Sequence, residues 1–379
     1  MRKHSTLSLA LAVLLASGGA HSATIYDKQG TQLDAFGYVQ ATFTNRHGAR
    51  LLDNDGAAHS DNTLLSEVRM GFAGRSEFAD NWAAVAMADM DFSPAGNGTV
   101  KSRYCFAGID GGSYGTLTFG RGDGAFYTVA GVTDIFHKLD TRANEYYSFG
   151  DQTSGQIMYS LSTLGWDLRI SVQTAMDNLN DTFSVDEALQ VALATRTASG
   201  FGIAYGYSLI NLTYEGEQLS REDGAHQMFS HFLPALRYQY PDYDYSALVS
   251  ARPRHRHDLG IALTYGTFGD GLYAALLFSS SKYQNYHHHL YSYEAVVSYA
   301  WDCGVTLSAG YAQQRFGKRL RTVSDLHFSL SYAPVPQMVI YAEAQLDLSS
   351  EPEKFYGDDW IAKYQLGEDK YVLGVQYSF

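Results

Sequence analysis

No stretch of this chain holds 18 consecutive apolar residues, which excludes a helical membrane protein. Basic residues are scarce as well: 27 Lys and Arg stand against 40 Asp and Glu, a net charge of -13, so no nucleic-acid partner is expected. Proline is rare, at 7 residues, and leaves long stretches free of breaks. There are only two cysteines. Cys105 falls in an expected strand and Cys303 in a distant turn, so two unpaired thiols are expected rather than a disulfide. No nucleophile, base and orienting group converge in any motif, which argues against an enzyme, and no cofactor is expected.

What the chain does hold is aromatic and glycine-rich: 29 Tyr, 20 Phe and 36 Gly, with a mean hydropathy of only -0.21. Residues 1–22 read as a secretory signal, with Arg2 and Lys3 ahead of an apolar run from Leu7 to Ala16 that is too short to span a bilayer. Cleavage after Ser22 would leave residues 23–379 as a single domain, two units more negative than the whole chain. At the other end Tyr371, Leu373, Val375, Tyr377 and Phe379 fall on one face of an extended strand, while Val372, Gly374, Gln376 and Ser378 fall on the other. An exported chain whose apolar residues alternate in this way hides its hydrophobicity from window averages. That is the signature of a transmembrane β-barrel, with the last strand inserting in the bilayer and closing the wall. A secreted β-sandwich is the competing fold.

Short turn signals alternate with long polar stretches. Tight turns are expected at Ala79-Asp80-Asn81, Gly111-Gly112-Ser113, Thr163-Leu164-Gly165, Ala198-Ser199-Gly200, Pro241-Asp242, Gly269-Asp270-Gly271, Asp302-Cys303-Gly304 and Pro334-Val335-Pro336. Eight turns in an antiparallel up-and-down barrel whose ends meet imply 18 strands. The rival count is 16, should the hairpin at 226–251, interrupted by Pro234, be a loop instead. The longer stretches, such as 45–62, 122–154, 213–225 and 349–369, would face the cell exterior.

Read in order, several segments resemble the trimeric general diffusion porins of Gram-negative outer membranes. They are Tyr26-Asp27-Lys28 with Leu33-Asp34, Val68-Arg69-Met70-Gly71-Phe72, Arg103 with Phe106-Ala107-Gly108, Phe119-Gly120-Arg121, Tyr293-Glu294-Ala295-Val296, and the closing Leu373-Gly374-Val375-Gln376-Tyr377-Ser378-Phe379. The resemblance implies a water-filled channel for passive diffusion of ions and small hydrophilic solutes. It also implies a homotrimer in the outer membrane and a third loop, 122–155, folded into the lumen opposite a row of wall cations.

Strand parity independently turns Arg69 inward. It also places Lys101, Arg103 and Cys105 inside, with Tyr104 and Phe106 outside. Arg69 and Arg103 are thus the expected constriction cations. Asp134 is the anion implied by the resemblance, while Lys138 stands where the family carries Glu, and Arg142 is a candidate to compensate. Tyr38 takes the place of the family's basic residue on the first strand. Asp89, Asp91, Glu343 and Asp347 are expected to form a solvated lumenal wall.

Three further signals bear on function. The basic clusters Arg252, Arg254, Arg256 with His255 and His257, and Arg315, Lys318, Arg319 with Arg321, lie near expected outer strand ends and suit lipopolysaccharide phosphates. The run His287, His288, His289 reads as a solvated loop rather than a metal site. Tyr146, Tyr147 and Phe149, with Tyr38, would stack on pyranose rings in a sugar-selective channel. A plugged barrel serving as an adhesin or structural protein is the other alternative.

Overall fold

The computed structural model describes residues 22–45, 63–93, 99–139, 143–146, 152–175, 183–214, 233–239, 254–284, 286–356, 361 and 366–379. Most of the expected signal, the Pro241-Asp242 turn and the hairpin's flanks at 226–232 and 240–251 lie outside them.

Among the described residues seventeen strands make one antiparallel sheet. They are β1 (Ala23–Lys28), β2 (Thr31–Thr44), β3 (Thr63–Ala79), β4 (Trp82–Ser93), β5 (Thr99–Asp110), β6 (Thr116–Gly122), β7 (Thr153–Thr163), β8 (Trp166–Gln173) and β9 (Phe183–Arg196) in the first half. The second half holds β10 (Phe201–Tyr214), β11 (His255–Thr267), β12 (Asp270–Tyr283), β13 (Leu290–Ala300), β14 (Val305–Phe316), β15 (Leu320–Val335), β16 (Met338–Asp347) and β17 (Lys370–Ser378). Every consecutive pair from β2 to β17 is hydrogen-bonded, and β17 pairs with β2 through Ser378 to Val372 against Tyr38 to Thr44. The ring therefore closes with 16 strands, the lower of the two expected counts. Among the described residues two short α-helices interrupt the connections, α1 (Tyr127–Ala130) and α2 (Leu233–Gln239).

The count falls from 18 because β10 pairs directly with β11, Phe201 against Tyr265 through Asn211 against His255. Among its described residues the segment between them holds α2. Pro234 is the second residue of that helix, where its missing N–H costs no helical hydrogen bond. The other seven expected turns do join consecutive strands. The short strand β1 is extra to the ring. It pairs with Ala35 to Thr31 of β2, on the edge that β17 occupies further along, because β3 takes the whole opposite edge from Thr31 to Thr44.

Side chains divide by parity. Val39, Phe43, Leu263, Leu276, Val297, Leu330, Ile340, Leu373 and Val375 point outward and are exposed. Gln40, Thr42, Gln190, Ser279, Ser292, Gln314, His327 and Gln345 are buried on the inner side. A continuous apolar exterior around a polar interior inverts the soluble arrangement, and a wall of this kind is stable only against hydrocarbon. Tyr371, Leu373, Val375 and Tyr377 all lie on that exterior, with Leu373 59% exposed. The Phe379 ring covers the outer side of Gly37, whose backbone exchanges two hydrogen bonds of 3.0 Å with it.

Both cysteines are free and exposed. Cys105 faces outward rather than inward, because the β4–β5 register shifts between Asp89 and Met90: Asp89 pairs with Tyr104 and Met90 with Ser102, so Arg103 is the extra residue of a bulge. Tyr104 and Phe106 consequently turn in, where they pack with Phe36, Ala73 and Met87.

Candidate functional site

The connection between β6 and β7 lies along the inner face of the wall. Its first turn is held by Ala125 N–H donating to Ser171 Oγ at 2.9 Å and Phe126 N–H donating to Gln190 Oε1 at 3.0 Å. Helix α1 then rests on β10 and β11, where only small residues are present. Val129 packs on Ala204 and Ala262, and a Cβ added at Gly206 or Gly260 would come within 2.9 or 2.8 Å of Val129 or Phe126. Further on, Ile135 and Phe136 pack on Tyr273, Ala275 and Val296, while the Tyr273 hydroxyl donates to Val132 O at 2.7 Å.

Two wall carboxylates hold the rest of this segment. Glu294 on β13 accepts from Thr133 Oγ1 and from Asn144 N–H, the latter at 2.9 Å. Glu343 on β16 accepts from the backbone N–H groups of His137, Lys138 and Leu139 at 2.7, 2.9 and 2.9 Å. His327 Nδ1 donates to Leu139 O at 3.2 Å. Glu343 therefore does not belong to a solvated wall, contrary to expectation; its charge is spent on backbone donors. Asp347 departs likewise, accepting from Ser350 N–H at 3.1 Å and shaping the next loop. Glu294 carried no expected role, although its inward parity on β13 was readable.

The opposite wall carries the expected cations, each already matched. Arg69 forks onto Asp89, with Nε donating at 3.0 and 2.9 Å to its two oxygens, and Asp89 is wholly buried. Arg103 reaches Asp91 at 3.4 Å. Asp89 and Asp91 are thus ion-pair partners rather than free wall charges. Register puts Tyr38 beside Arg69 and Asp91 on one inner face. From the loop side Lys138 Nζ donates to Glu67 at 2.6 Å, and Asp134 accepts from Tyr127 OH at 3.0 Å. Arg142 lies outside the described residues.

A second polar cluster lies toward the long-loop end. Glu145 accepts from Tyr283 OH at 2.6 Å, from Gln314 Nε2 at 3.0 Å, and from Tyr356 OH. Arg256, also wholly buried, lies 3.7 Å from Glu145 and donates to Asp258 at 3.1 Å. Burial, reinforced by the Glu145 charge, raises the Tyr356 phenol well above its usual pKa and keeps it a donor. Apolar residues from several loops close over this cluster, among them Ala235, Tyr286 and Phe355. Arg256 is therefore no part of a surface basic cluster, and Arg252 lies outside the described residues. In the other cluster Lys318, Arg319 and Arg321 are exposed, and Arg315 faces Arg321 across the β14–β15 ladder. Tyr146 is buried against Phe126 and cannot stack on a sugar, while Tyr147 and Phe149 lie outside the described residues. His288 turns to Phe316 and His289 to Tyr291, so their rings diverge.

Comparison with known proteins agrees with this architecture. A family model described as Gram-negative porin matches residues 8–319. The outer membrane porin PhoE of Enterobacter cloacae is 25% identical over 348 residues, covering 85% of either chain. Among solved structures, Salmonella typhi OmpF superposes with a TM-score of 0.70 at 16% identity over 94% of this chain and 100% of its own. The trimer form of Vibrio cholerae OmpT gives a TM-score of 0.59 at 11% identity over 93% of this chain and 100% of its own. A closed wall, apolar outside and polar within, on which a family model covers most of the sequence, leaves one assignment: the chain belongs to the Gram-negative porin family and is a non-enzymatic outer-membrane channel for passive diffusion.

Proposed function

We propose that the β6–β7 segment narrows the lumen and that solutes pass between it and the inner wall of β2–β5. The observation that carries this reading is the attachment of residues 125–139 to inward side chains of β8, β9, β12, β13, β15 and β16. A segment held at so many points acts as a fixed rim. Tyr38, Arg69 and Arg103 stand on the wall side of the passage and Asp134 on the segment side, while Lys138 bridges from the segment to Glu67 of β3 at its edge. Opposed charges on low-dielectric walls orient water and dipolar solutes, so a polar molecule aligns while an apolar one must break ordered hydration. Because Arg69 and Arg103 are matched by Asp89 and Asp91, the field from this wall is weaker than two bare arginines would give. Ions and small hydrophilic solutes are the cargo.

The chain acts as a homotrimer after losing residues 1–22 on export, and phosphate groups of lipopolysaccharide meet Arg315, Lys318, Arg319 and Arg321 on the exterior. Arginines opposed across a ladder repel, and an anion between them offsets that cost. Single-channel recording in planar bilayers, with neutral polymers of graded size, tests the narrowing. Discrete conductance steps and exclusion of all but the smallest polymers are expected. A barrel that conducts nothing, or one that admits polymers as wide as the barrel itself, overturns the reading.

A further inference from the structure

Arg169 is a lumenal cation that the resemblance did not mark. It lies on β8 between Asp167 and Ser171 in the inward series, and faces Ser160 of β7 and Ala192 of β9 across the two ladders. Small neighbours on both sides leave room for its long side chain. Ser171, one inward position away, is where Ala125 of the β6–β7 segment is attached. Arg169 therefore sits just to the short-turn side of that segment.

Among the described residues Arg169 has no hydrogen bond and no ion pair. That separates it from Arg69, Arg103 and Lys138, each held by a carboxylate. It borders a cavity of about 370 Å³ between the wall of β4–β9 and the β6–β7 segment, much of whose lining is apolar, including Val85, Phe106, Val132 and Met158. The carboxylates on the same cavity already accept hydrogen bonds. Asp123 accepts from Tyr104 OH and from Gln152 N–H, Asp134 from Tyr127 OH, and Asp167 from Ser162 Oγ. The charges of Asp167 and Asp123 act on the guanidinium without a hydrogen bond to it, so its five donors are open, and their planar fork matches a carboxylate.

We propose that this cavity is a transit site for small organic monocarboxylates with an apolar body, the carboxylate on Arg169 and the body against Phe106, Val85 and Met158. A volume at the lower end of ordinary ligand pockets suits a molecule of one ring. An inorganic anion would satisfy the guanidinium but leave the apolar lining wet. The inference rests on the channel reading, and deepens it by naming a solute class.

The test is single-channel recording in potassium chloride with phenylacetate, acetate or benzylammonium added on the short-turn side. Phenylacetate is expected to interrupt the current in resolvable events. Acetate lacks the ring and benzylammonium the anionic end, so neither should do so. Arg169→Gln should weaken the phenylacetate block by about tenfold, the loss of one charge-assisted contact, and Arg169→Lys should retain part of it. Ser160→Leu, which keeps the cation and fills the space beside it, should also abolish the block. Equal block by acetate, or block unaltered in both Arg169→Gln and Ser160→Leu, overturns the proposal. Channels that conduct normally without any phenylacetate block defeat this inference alone, whereas an absence of conductance defeats the channel reading itself.

Discussion

Leu139 donates its backbone N–H to the Glu343 carboxylate at 2.9 Å, across 204 residues of sequence. The two preceding amides do the same, so one wall side chain fixes three consecutive peptide groups. Glu343→Ala should therefore free this end of the segment at a cost of roughly 3 kcal/mol in docking, given about 1.5–3 kcal/mol for a hydrogen bond to a charged group. The expected outcome is higher open-channel noise and new protease cleavage near residues 137–139, with the barrel still folded. Noise indistinguishable from the unmodified channel would show that Glu343 is not the anchor.

The wall cations make an electrostatic prediction. Removing both guanidiniums by Arg69→Ala with Arg103→Ala leaves Asp89 and Asp91 as two uncompensated negative charges on one inner face. Cation preference should rise severalfold, and Asp89→Asn with Asp91→Asn should move it the other way. Reversal potentials in a salt gradient measure both. An unchanged value in the arginine variant would remove these residues from the filter.

Arg256 predicts stability rather than selectivity. Its replacement by Met strands Asp258 and Glu145 beneath the loops, and breaking a buried pair costs about 3–5 kcal/mol. Heat resistance of the folded barrel should fall, with the loss concentrated at the long-loop end. Unaltered resistance in Arg256→Met would mean that the Tyr283, Gln314 and Tyr356 contacts carry the cluster alone.

The exterior face can be tested at β17. Leu373→Lys puts a charge against hydrocarbon and should cost up to about 2–4 kcal/mol, depending on depth. Gln376→Lys, on the inner face of the same strand, should be tolerated. Refolding into lipid vesicles under urea compares them; equal stabilities would contradict the assigned faces.

The barrel itself was legible because its physics is a period of two: a wall between oil and water forces Leu373 and Val375 to one side and Val372 and Gly374 to the other. Strand number hinged on Pro234, which sequence read as a break in a hairpin or part of a loop and which the structure puts at the start of a helix. The inner surface was legible only where the ladder is regular. Arg69 on β3 obeys parity, but the bulge at Arg103 carries no marker in its residue types, so the faces assigned to Tyr104, Cys105 and Phe106 reversed. Carboxylates posed a different difficulty. Glu343 and Asp89 have the right parity for a wet wall, yet what they face is set by distant segments, Leu139 and Arg69, which no local pattern reveals.

The seat shared on β2 has a consequence for assembly. Ala23 pairs with Ala35 and Ser378 with Tyr38 on the same edge, so β17 and β1 run head to tail along one track with Phe379 meeting the start of β1. Phe379 pairs at Gly37 and Ala23 at Ala35, so one position of β2, Phe36, separates the two strands on this track. Polypeptide that runs more than one residue past Ala23 or Phe379 and keeps to this track thus competes directly with the final seam of the cylinder.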